Sequence, residues 1–154
     1  MGDVLERRLK MRTIKNTVVA GMLNLLVTGA FLNQQYDALF GQFGLTTSAY
    51  NVLRILRGSP EGLARGEIRA RMVNPSPDVT RLIDGLARRG LVRRTRARGD
   101  RRLSVAQITR KGIALMGRVE VDNGQYRARL ASLLSETEWR QLSQLCERIY
   151  GDKV

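Results

Sequence analysis

The chain has 154 residues, a formal net charge of +13, no histidine and one cysteine, so an intramolecular disulfide is impossible. That length suffices for one domain with a hydrophobic core, and the lone cysteine fits a reducing cytoplasm. Lack of histidine removes the commonest general base and transition-metal ligand. Since the sequence also has no glycine-rich phosphate loop and no nucleophile elbow, we expect neither an enzyme nor a metal or cofactor site.

The positive charge is concentrated in one stretch of the chain. Of the 27 Lys and Arg residues, 11 lie between Arg81 and Lys111, against two acids there. A scattered excess would mainly aid solubility, whereas a cluster creates a local potential that attracts nucleic acid or an anionic membrane surface.

Residues 3–42 have the pattern of one long helix or two abutting helices. Their apolar residues recur at three- and four-residue steps in two neighbouring stripes, so this region needs two packing partners. It is either the core helix of a monomer or a helix shared between its own chain and a second subunit. Segment 17–32 is apolar, but it falls short of the roughly 20 residues that cross a membrane, so no membrane partner is expected.

Residues 45–74 predict two short helices joined by a turn. Thr46 suits the N-cap of the first helix, which ends at Gly58, and residues 67–72 form the second. Between them, Leu63 is expected to form a short strand against a hairpin further along the chain.

A third short helix follows. Ser76 is a good N-cap, and Pro77 suits the first helical position, where a missing N–H costs nothing. Gly90 ends the helix, because glycine adopts the left-handed conformation without strain. One helical face is apolar and consists of Val79, Leu82, Ile83 and Leu86.

Residues 91–108 predict a β-hairpin with a basic tip, because two apolar strand segments flank residues 93–102, which include six arginines, one acid and one glycine. So many arginines are too costly to bury unpaired, so the hairpin should project from the body. A helix with small polar residues at its start, beside a basic hairpin, suits a major groove with a minor groove alongside.

The C-terminal region predicts two more helices. The first covers residues 110–134, and Asn123 with Gly124 makes a kink or break in it plausible, since glycine costs about 1 kcal/mol relative to alanine inside a helix. Ser135 and Glu138 form a capping box for the last helix.

Five short motifs occur in order between residues 79 and 112. They are VTRLID at 79–84, GLV at 90–92, DRR at 100–102, IT at 108–109, and Gly112. Together they resemble the MarR family of bacterial winged helix-turn-helix regulators, and the resemblance covers residues 45–116. It implies an obligate homodimer that represses or activates transcription and often responds to a small ligand.

The resemblance implies a mainly α fold with a small β-wing, made of a winged helix-turn-helix lobe and a helical dimerisation lobe. The DNA-binding lobe would span residues 45–109. Helices in residues 1–44 and 110–154 would form the dimer.

The recognition helix supplies the first group of candidate DNA contacts. Ser76, Thr80 and Arg81 are expected to meet base edges or phosphates. Asp78 has two interpretations: it accepts a hydrogen bond from cytosine N4, or it favours the helix N-terminus electrostatically and never touches DNA.

The wing supplies the second group. Arg98 and Arg102 are expected to enter the minor groove, whose negative potential attracts arginine. The alternative of a solvated face near phosphates, without base contact, applies to Arg93, Arg94, Arg96 and Arg101, and is preferred for Arg94 and Arg101. Asp100 either accepts a hydrogen bond from a neighbouring arginine and orients the wing or is a simple turn residue after Gly99.

The resemblance also places an effector cleft between the dimerisation helices and the DNA-binding lobe. Candidate lining residues are Met22, Leu26, Phe31, Tyr36, Tyr50 and Met116. The alternative for each is ordinary core packing. Cys146 is interpreted as a small hydrophobe of the last helix rather than a redox sensor.

Our leading hypothesis is a homodimeric regulator, a repressor in the cytoplasm, that binds a pseudo-palindromic operator on double-stranded DNA. A non-specific architectural winged-helix protein would have the same charge. A third hypothesis is a scaffold whose basic wing binds an acidic protein. The ratio of affinities for a palindromic site and random duplex distinguishes the first two.

Overall fold

The computed structural model describes residues 3–10, 13–75, 77–97 and 100–151, without the side chains of residues 3, 97 and 100–103. This part of the chain is mainly helical. Its elements, in chain order, are α1 (Asp3–Leu9), α2 (Thr17–Gly41), α3 (Thr47–Arg57), β1 (Leu63–Ala64), α4 (Arg65–Ala70), α5 (Val79–Arg88), β2 (Val92–Ala97), β3 (Asp100–Ile108), α6 (Arg110–Ala131) and α7 (Glu136–Tyr150).

Helix α3 forms the centre of the core. It begins as expected at Thr46, whose hydroxyl accepts a hydrogen bond from the Ala49 N–H at 3.1 Å. Its side chains Val52, Leu53 and Leu56 are completely buried. Burial of each of these side chains stabilises the fold by about 1.5–3 kcal/mol. Helix α3 is therefore the part of the core against which the neighbouring helices pack.

Helix α5 begins two residues later than the sequence indicated. Its N-cap is Asp78, which accepts a hydrogen bond from the Arg81 N–H at 3.4 Å, and its first helical residue is Val79. The predicted start at Ser76 and Pro77 is therefore wrong; Ser76 itself lies outside the described residues. Aspartate caps a helix as well as serine does, so Asp78 can take this position.

The apolar face of α5 is as predicted. Val79, Ile83 and Leu86 are buried, and Leu82 packs partly buried against them. Gly90 has φ of +70° and closes the helix, while the Leu91 N–H donates to the Leu86 carbonyl at 3.0 Å.

The wing is a three-stranded antiparallel sheet in the order β1-β3-β2. Leu63 pairs with Ala106, which confirms the short strand expected there, and Val92 pairs with Ile108 at the base of the wing. A register shift between Arg96 and Ala97 marks the outer end of the hairpin. Such irregularities increase the local twist and re-aim side chains.

Aromatic residues join α2 and α6 to this core. Phe40 stacks on Tyr50 with ring centroids 4.0 Å apart, and Tyr36 lies 5.4 Å from Phe40 and 5.2 Å from Tyr126. Phe40 is almost completely buried. The C-terminal half of α2 thus packs into the same core as α3.

The N-terminal region contains two separate helices, α1 and α2, rather than one continuous or abutting pair. Lys10, with φ of +52°, follows α1, residues 13–16 are non-helical, and Asn16 caps α2 by accepting from Val18 N at 2.9 Å. Helix α6, in contrast, runs through Asn123 and Gly124 without a break. The glycine penalty is thus too small to break the helix, and the buried Asn123 side chain donates from Nδ2 to Tyr50 Oη at 3.1 Å.

Two helices present apolar residues that nothing in the described chain covers. On α2 these are Val18, Val19, Met22, Leu25, Leu26 and Phe31, and on α7 they are Leu142, Leu145, Ile149 and Tyr150. With 25 residues and a mean hydropathy of 1.3 over its most apolar window, α2 is also long and apolar enough to cross a membrane. The prediction that this apolar segment is too short to cross a membrane is therefore wrong. Core helices of soluble proteins can have the same length and hydropathy.

Candidate nucleic-acid interface

The first turn of α5 presents polar side chains that neighbouring residues hold in place. The Thr80 hydroxyl accepts from Arg65 Nη1 at 3.1 Å, and Arg81 Nε lies 3.1 Å from Asp78 Oδ2. The Arg81 side chain is 82% exposed. Asp78 thus acts as a helix cap and ion-pair partner in the free protein, while Arg81 remains accessible to a duplex.

An ion pair fixes α5 to the wing. Arg94 Nη2 lies 2.6 Å from Asp84 Oδ1, and both side chains are about half exposed. Partly exposed ion pairs of this kind contribute roughly 0.2–1 kcal/mol to stability. The main effect of this pair is therefore to orient α5 relative to the wing. We did not predict this pair, because residues ten positions apart on a helix and a strand carry no pairing signal in a sequence.

The wing strands present further cations. Arg93 Nε donates to Gln107 Oε1 at 3.2 Å, and Gln107 Nε2 donates in turn to the carbonyl of Glu61 at 2.9 Å. Arg96 is exposed near the outer end of β2. Arg98 lies outside the described residues, as do the side chains of Asp100, Arg101 and Arg102, whose backbone belongs to β3.

A cavity of about 360 Å³ opens between the start of α5, α4 and the wing. Arg65, Thr80 and Arg94 line it together with Ser104. Guanidinium and hydroxyl donors around one concave surface match the donors that bind phosphate oxygens. The recognition helix and the wing therefore share one cationic face.

A second cavity of about 500 Å³ lies between α2, α3 and α6. Tyr36, Phe40 and Tyr50 form its aromatic wall, and Arg54 and Arg127 supply charge. Its lining includes no acidic residue; the other lining residues are Gly29, Leu32, Asn33, Thr47, Ser48, Asn51, Met72, Val73, Asn74 and Asn123. An apolar cavity with two guanidinium groups suits a small anion with an apolar body.

A hydrogen-bond network lies beside this cavity. Tyr50 Oη donates to Glu120 Oε1 at 2.8 Å and accepts from Asn123 Nδ2 at 3.1 Å, and Arg127 Nη2 lies 3.3 Å from Glu120 Oε2. Burial, the hydrogen bond to Glu120 and its negative charge raise the pKa of Tyr50 to about 12. Burial alone would raise the pKa of Glu120, but the Tyr50 hydrogen bond and the nearby Arg57 and Arg127 charges hold that pKa below its usual value.

The predicted ligand residues do not all lie together. Tyr36 and Tyr50 line the 500 Å³ cavity. Met22, Leu26 and Phe31 lie on the exposed face of α2, and Met116 is completely buried in the core, so none of these four predicted residues lines the cavity. Sequence periodicity indicated apolar helix faces but could not tell which of them bounds a cavity.

Sequence reasoning also missed the polar members of this region. These polar residues come from two helices that lie about 70 residues apart in the chain. Helix α3 supplies Arg54, and α6 supplies Glu120, Asn123 and Arg127. Within the described residues, no group of three metal-binding side chains occurs. Cys146 is half-buried in α7.

Comparison with known proteins places this site in context. A model of the MarR family matches residues 43–103. The HTH-type transcriptional regulator PecS of Dickeya dadantii (strain 3937) is 31% identical over 121 residues, which cover 77% of this chain and 72% of PecS.

Two solved structures share the fold. CouR from Rhodococcus jostii RHA1 bound to p-coumaroyl-CoA aligns with a TM-score of 0.77 at 22% identity, over 88% of this chain and 95% of CouR. The S. aureus MepR–DNA complex aligns with a TM-score of 0.74 at 23% identity, over 83% of this chain and 94% of MepR. Since PecS is similar over most of both chains, this chain belongs to the MarR family and is a DNA-binding transcriptional regulator with a winged helix-turn-helix fold.

Proposed function

We propose that this protein is a homodimeric repressor in the cytoplasm, which binds a pseudo-palindromic operator and is released by a small anionic ligand. Helix α5 enters the major groove and the arginine-rich wing lies along the minor groove. The observation that carries the proposal is the shared cationic face of α5 and the wing, fixed by the Asp84–Arg94 ion pair. The similarity of the fold to MepR, whose structure contains DNA, supports the same docking.

The first experiment separates base-specific contacts from general charge. Arg81→Ala removes an exposed cation at the start of α5, whereas Arg88→Ala removes one in its last turn. We expect Arg81→Ala to weaken operator binding by about 1–3 kcal/mol and Arg88→Ala to have a much smaller effect. Titrations on operator and random duplex at one fixed salt concentration measure this, with the operator obtained by selection from a random pool.

Equal losses for both variants on both duplexes would support the alternative, a non-specific architectural protein. In that case binding depends on total charge and falls with salt, but it does not depend on the position of the cation along α5. Half-site spacing of about one helical turn in the selected duplexes would support a symmetric dimer.

The dimer proposal rests on the uncovered apolar faces of α2 and α7. Surfaces of this kind on a soluble protein mark association sites. On this proposal residues 45–109 form the DNA-binding lobe, and helices from residues 1–44 and 110–154 pair with those of a second chain. Because α2 also passes the length and hydropathy test for a membrane span, cover by a lipid surface is the competing explanation.

A matched pair of α7 variants tests the dimer. Leu145→Asp places a charge in the apolar face, whereas Gln144→Asp places the same charge beside it. We expect sedimentation equilibrium to show dimers for the parent and Gln144→Asp, and dissociation for Leu145→Asp. A parent protein that is monomeric and floats with lipid vesicles would contradict the proposal.

The effector proposal rests on the 500 Å³ cavity with Arg54 and Arg127. CouR, a protein of the same fold, is bound to p-coumaroyl-CoA in its structure, which supports a ligand role for a cavity in this fold. We expect small aromatic carboxylates to reduce operator affinity, and Arg54→Gln to abolish this response without changing affinity in their absence. A parent-like response of Arg54→Gln would rule out this cavity.

A further inference from the structure

A third cavity, of about 380 Å³, lies at the base of the wing, and we refer to it as the basal pocket. It is lined by Arg89, Leu91, Lys111, Ala114, Leu115 and Arg118. Half of these residues are cations and the others are apolar, so the basal pocket has no acidic member. Leu91 of the GLV motif is its one residue from the family motifs, and no predicted DNA contact lines it.

Each cation in the basal pocket is held by a contact that leaves donors free. Arg89 donates from Nη1 to the Gly44 carbonyl at 2.6 Å and from Nη2 to the Phe43 carbonyl at 3.3 Å. A guanidinium has five N–H donors, so three remain. Lys111 Nζ donates one hydrogen bond, to the Arg89 carbonyl at 2.9 Å, and the Arg118 guanidinium lies 5.8 Å from the centroid of the Phe43 ring.

No ion pair neutralises these three side chains within the part of the chain that the structure describes. The start of α6 adds to the positive potential, because its first turn contains Arg110 and Lys111 and no acid. Helix N-termini carry a partial positive charge and normally favour acids. The cations are therefore held together against repulsion, and a bound anion would relieve that repulsion.

The basal pocket lies away from the groove-reading elements. It is next to the C-terminal end of α5, and Leu91 precedes Val92, which pairs with Ile108 at the inner end of the wing. Ten helical residues separate it from the start of α5 by about 15 Å, at about 1.5 Å of rise per residue. On the docking proposed above, we expect a duplex that contacts the first turn of α5 and the wing tip to leave this pocket open to solvent.

We propose that the basal pocket binds a small phosphate-bearing anion independently of DNA. Its three convergent cations supply charge-assisted hydrogen bonds to phosphate oxygens, and its apolar side accepts the body of a phosphorylated metabolite. Such an anion would also link Arg89, at the end of α5, to Lys111 and Arg118 of α6. Arg89 is the residue that donates to the carbonyls of the turn after α2. Free phosphate and a phosphorylated metabolite share this chemistry, so inorganic pyrophosphate serves as the probe.

Isothermal titration calorimetry of the full chain with pyrophosphate tests the proposal. A chloride salt keeps the ionic strength constant during the titration. Arg118→Gln removes a lining cation that lies over the Phe43 ring, and Arg110→Gln removes an adjacent exposed cation that does not line the pocket. We expect pyrophosphate affinity to fall at least tenfold in Arg118→Gln and less than twofold in Arg110→Gln. Arg118→Lys should retain affinity within a few-fold, which excludes a simple folding defect.

Three outcomes of the pyrophosphate titrations would overturn the inference. They are no saturable binding of pyrophosphate by the parent, equal loss in the Arg110 and Arg118 variants, and retention of full affinity in Arg118→Gln. Operator titrations of Arg118→Gln separate this inference from the proposed function, because operator affinity should stay unchanged. A parallel loss of operator and pyrophosphate affinity would mean that the pocket contacts the DNA backbone, which contradicts the proposal.

Discussion

The two glycines Gly112 and Gly117 of α6 should respond in opposite directions to the same substitution. A Cβ added at Gly112 would overlap the Leu91 carbonyl oxygen and approach Ile108 Cγ1 to 2.7 Å, whereas a Cβ at Gly117 meets nothing within 4 Å. Gly112 is buried where α6 crosses the start of β2, and Gly117 is exposed. The backbone carbonyl at Leu91 cannot move easily, since it accepts a hydrogen bond from the Thr109 N–H at 3.0 Å.

The magnitudes follow from these contacts. Alanine in place of glycine inside a helix gains about 0.5–1 kcal/mol, so Gly117→Ala should stabilise the protein by about that amount. The same gain applies at Gly112, but overpacking there costs about 1–3 kcal/mol or more, because two elements must separate. We expect Gly112→Ala to be less stable than the parent by about 1–2 kcal/mol, which corresponds to a thermal midpoint about 2–8 °C lower.

Thermal unfolding of the two variants and the parent at one protein concentration measures the difference, since unfolding of an oligomer depends on concentration. Gly85→Ala in α5, where an added Cβ also meets nothing within 4 Å, is a second control. An unchanged or raised midpoint for Gly112→Ala would falsify the steric argument. A lowered midpoint for Gly117→Ala would show that glycine is required in α6 for another reason.

Four further predictions concern three charged side chains and metal binding. Folding lowers the pKa of Glu120 from 4.5, so the ionised carboxylate stabilises the fold above about pH 4.5, and this stabilisation is lost as pH falls through the lower pKa of the folded state. Glu120→Gln should therefore be less stable than the parent at pH 7. The difference between the denaturant midpoints of the two proteins should be smaller near pH 3. Arg102→Ala should weaken specific binding by about 1–3 kcal/mol, and Asp100→Ala should also weaken it, whereas tighter operator binding by Asp100→Ala would show that Asp100 is only a turn residue. Chelators should leave DNA affinity unchanged, and stoichiometric zinc in dialysed protein would contradict this.

Local patterns in the sequence determined most of the elements. The caps at Thr46 and Ser135, the apolar face of α5 and the stop at Gly90 depend on neighbours within about four residues, so the sequence contains the whole signal. The strand pairing of the wing followed from two apolar segments flanking one basic turn. The family resemblance rested on the five motifs between residues 79 and 112, and the similarity to PecS confirms it.

Tertiary structure decided which residues meet across long separations. Local rules predicted Ser76 as the cap of α5, but the cap in the fold is Asp78. The periodicity of α2 and α6 indicated apolar faces, yet only packing shows that Tyr36 and Tyr50 bound a cavity while Met116 fills the core. Ion pairs and hydrogen bonds between distant elements have no local signature, because side-chain type sets what a residue can bind, while the path of the backbone sets what it reaches.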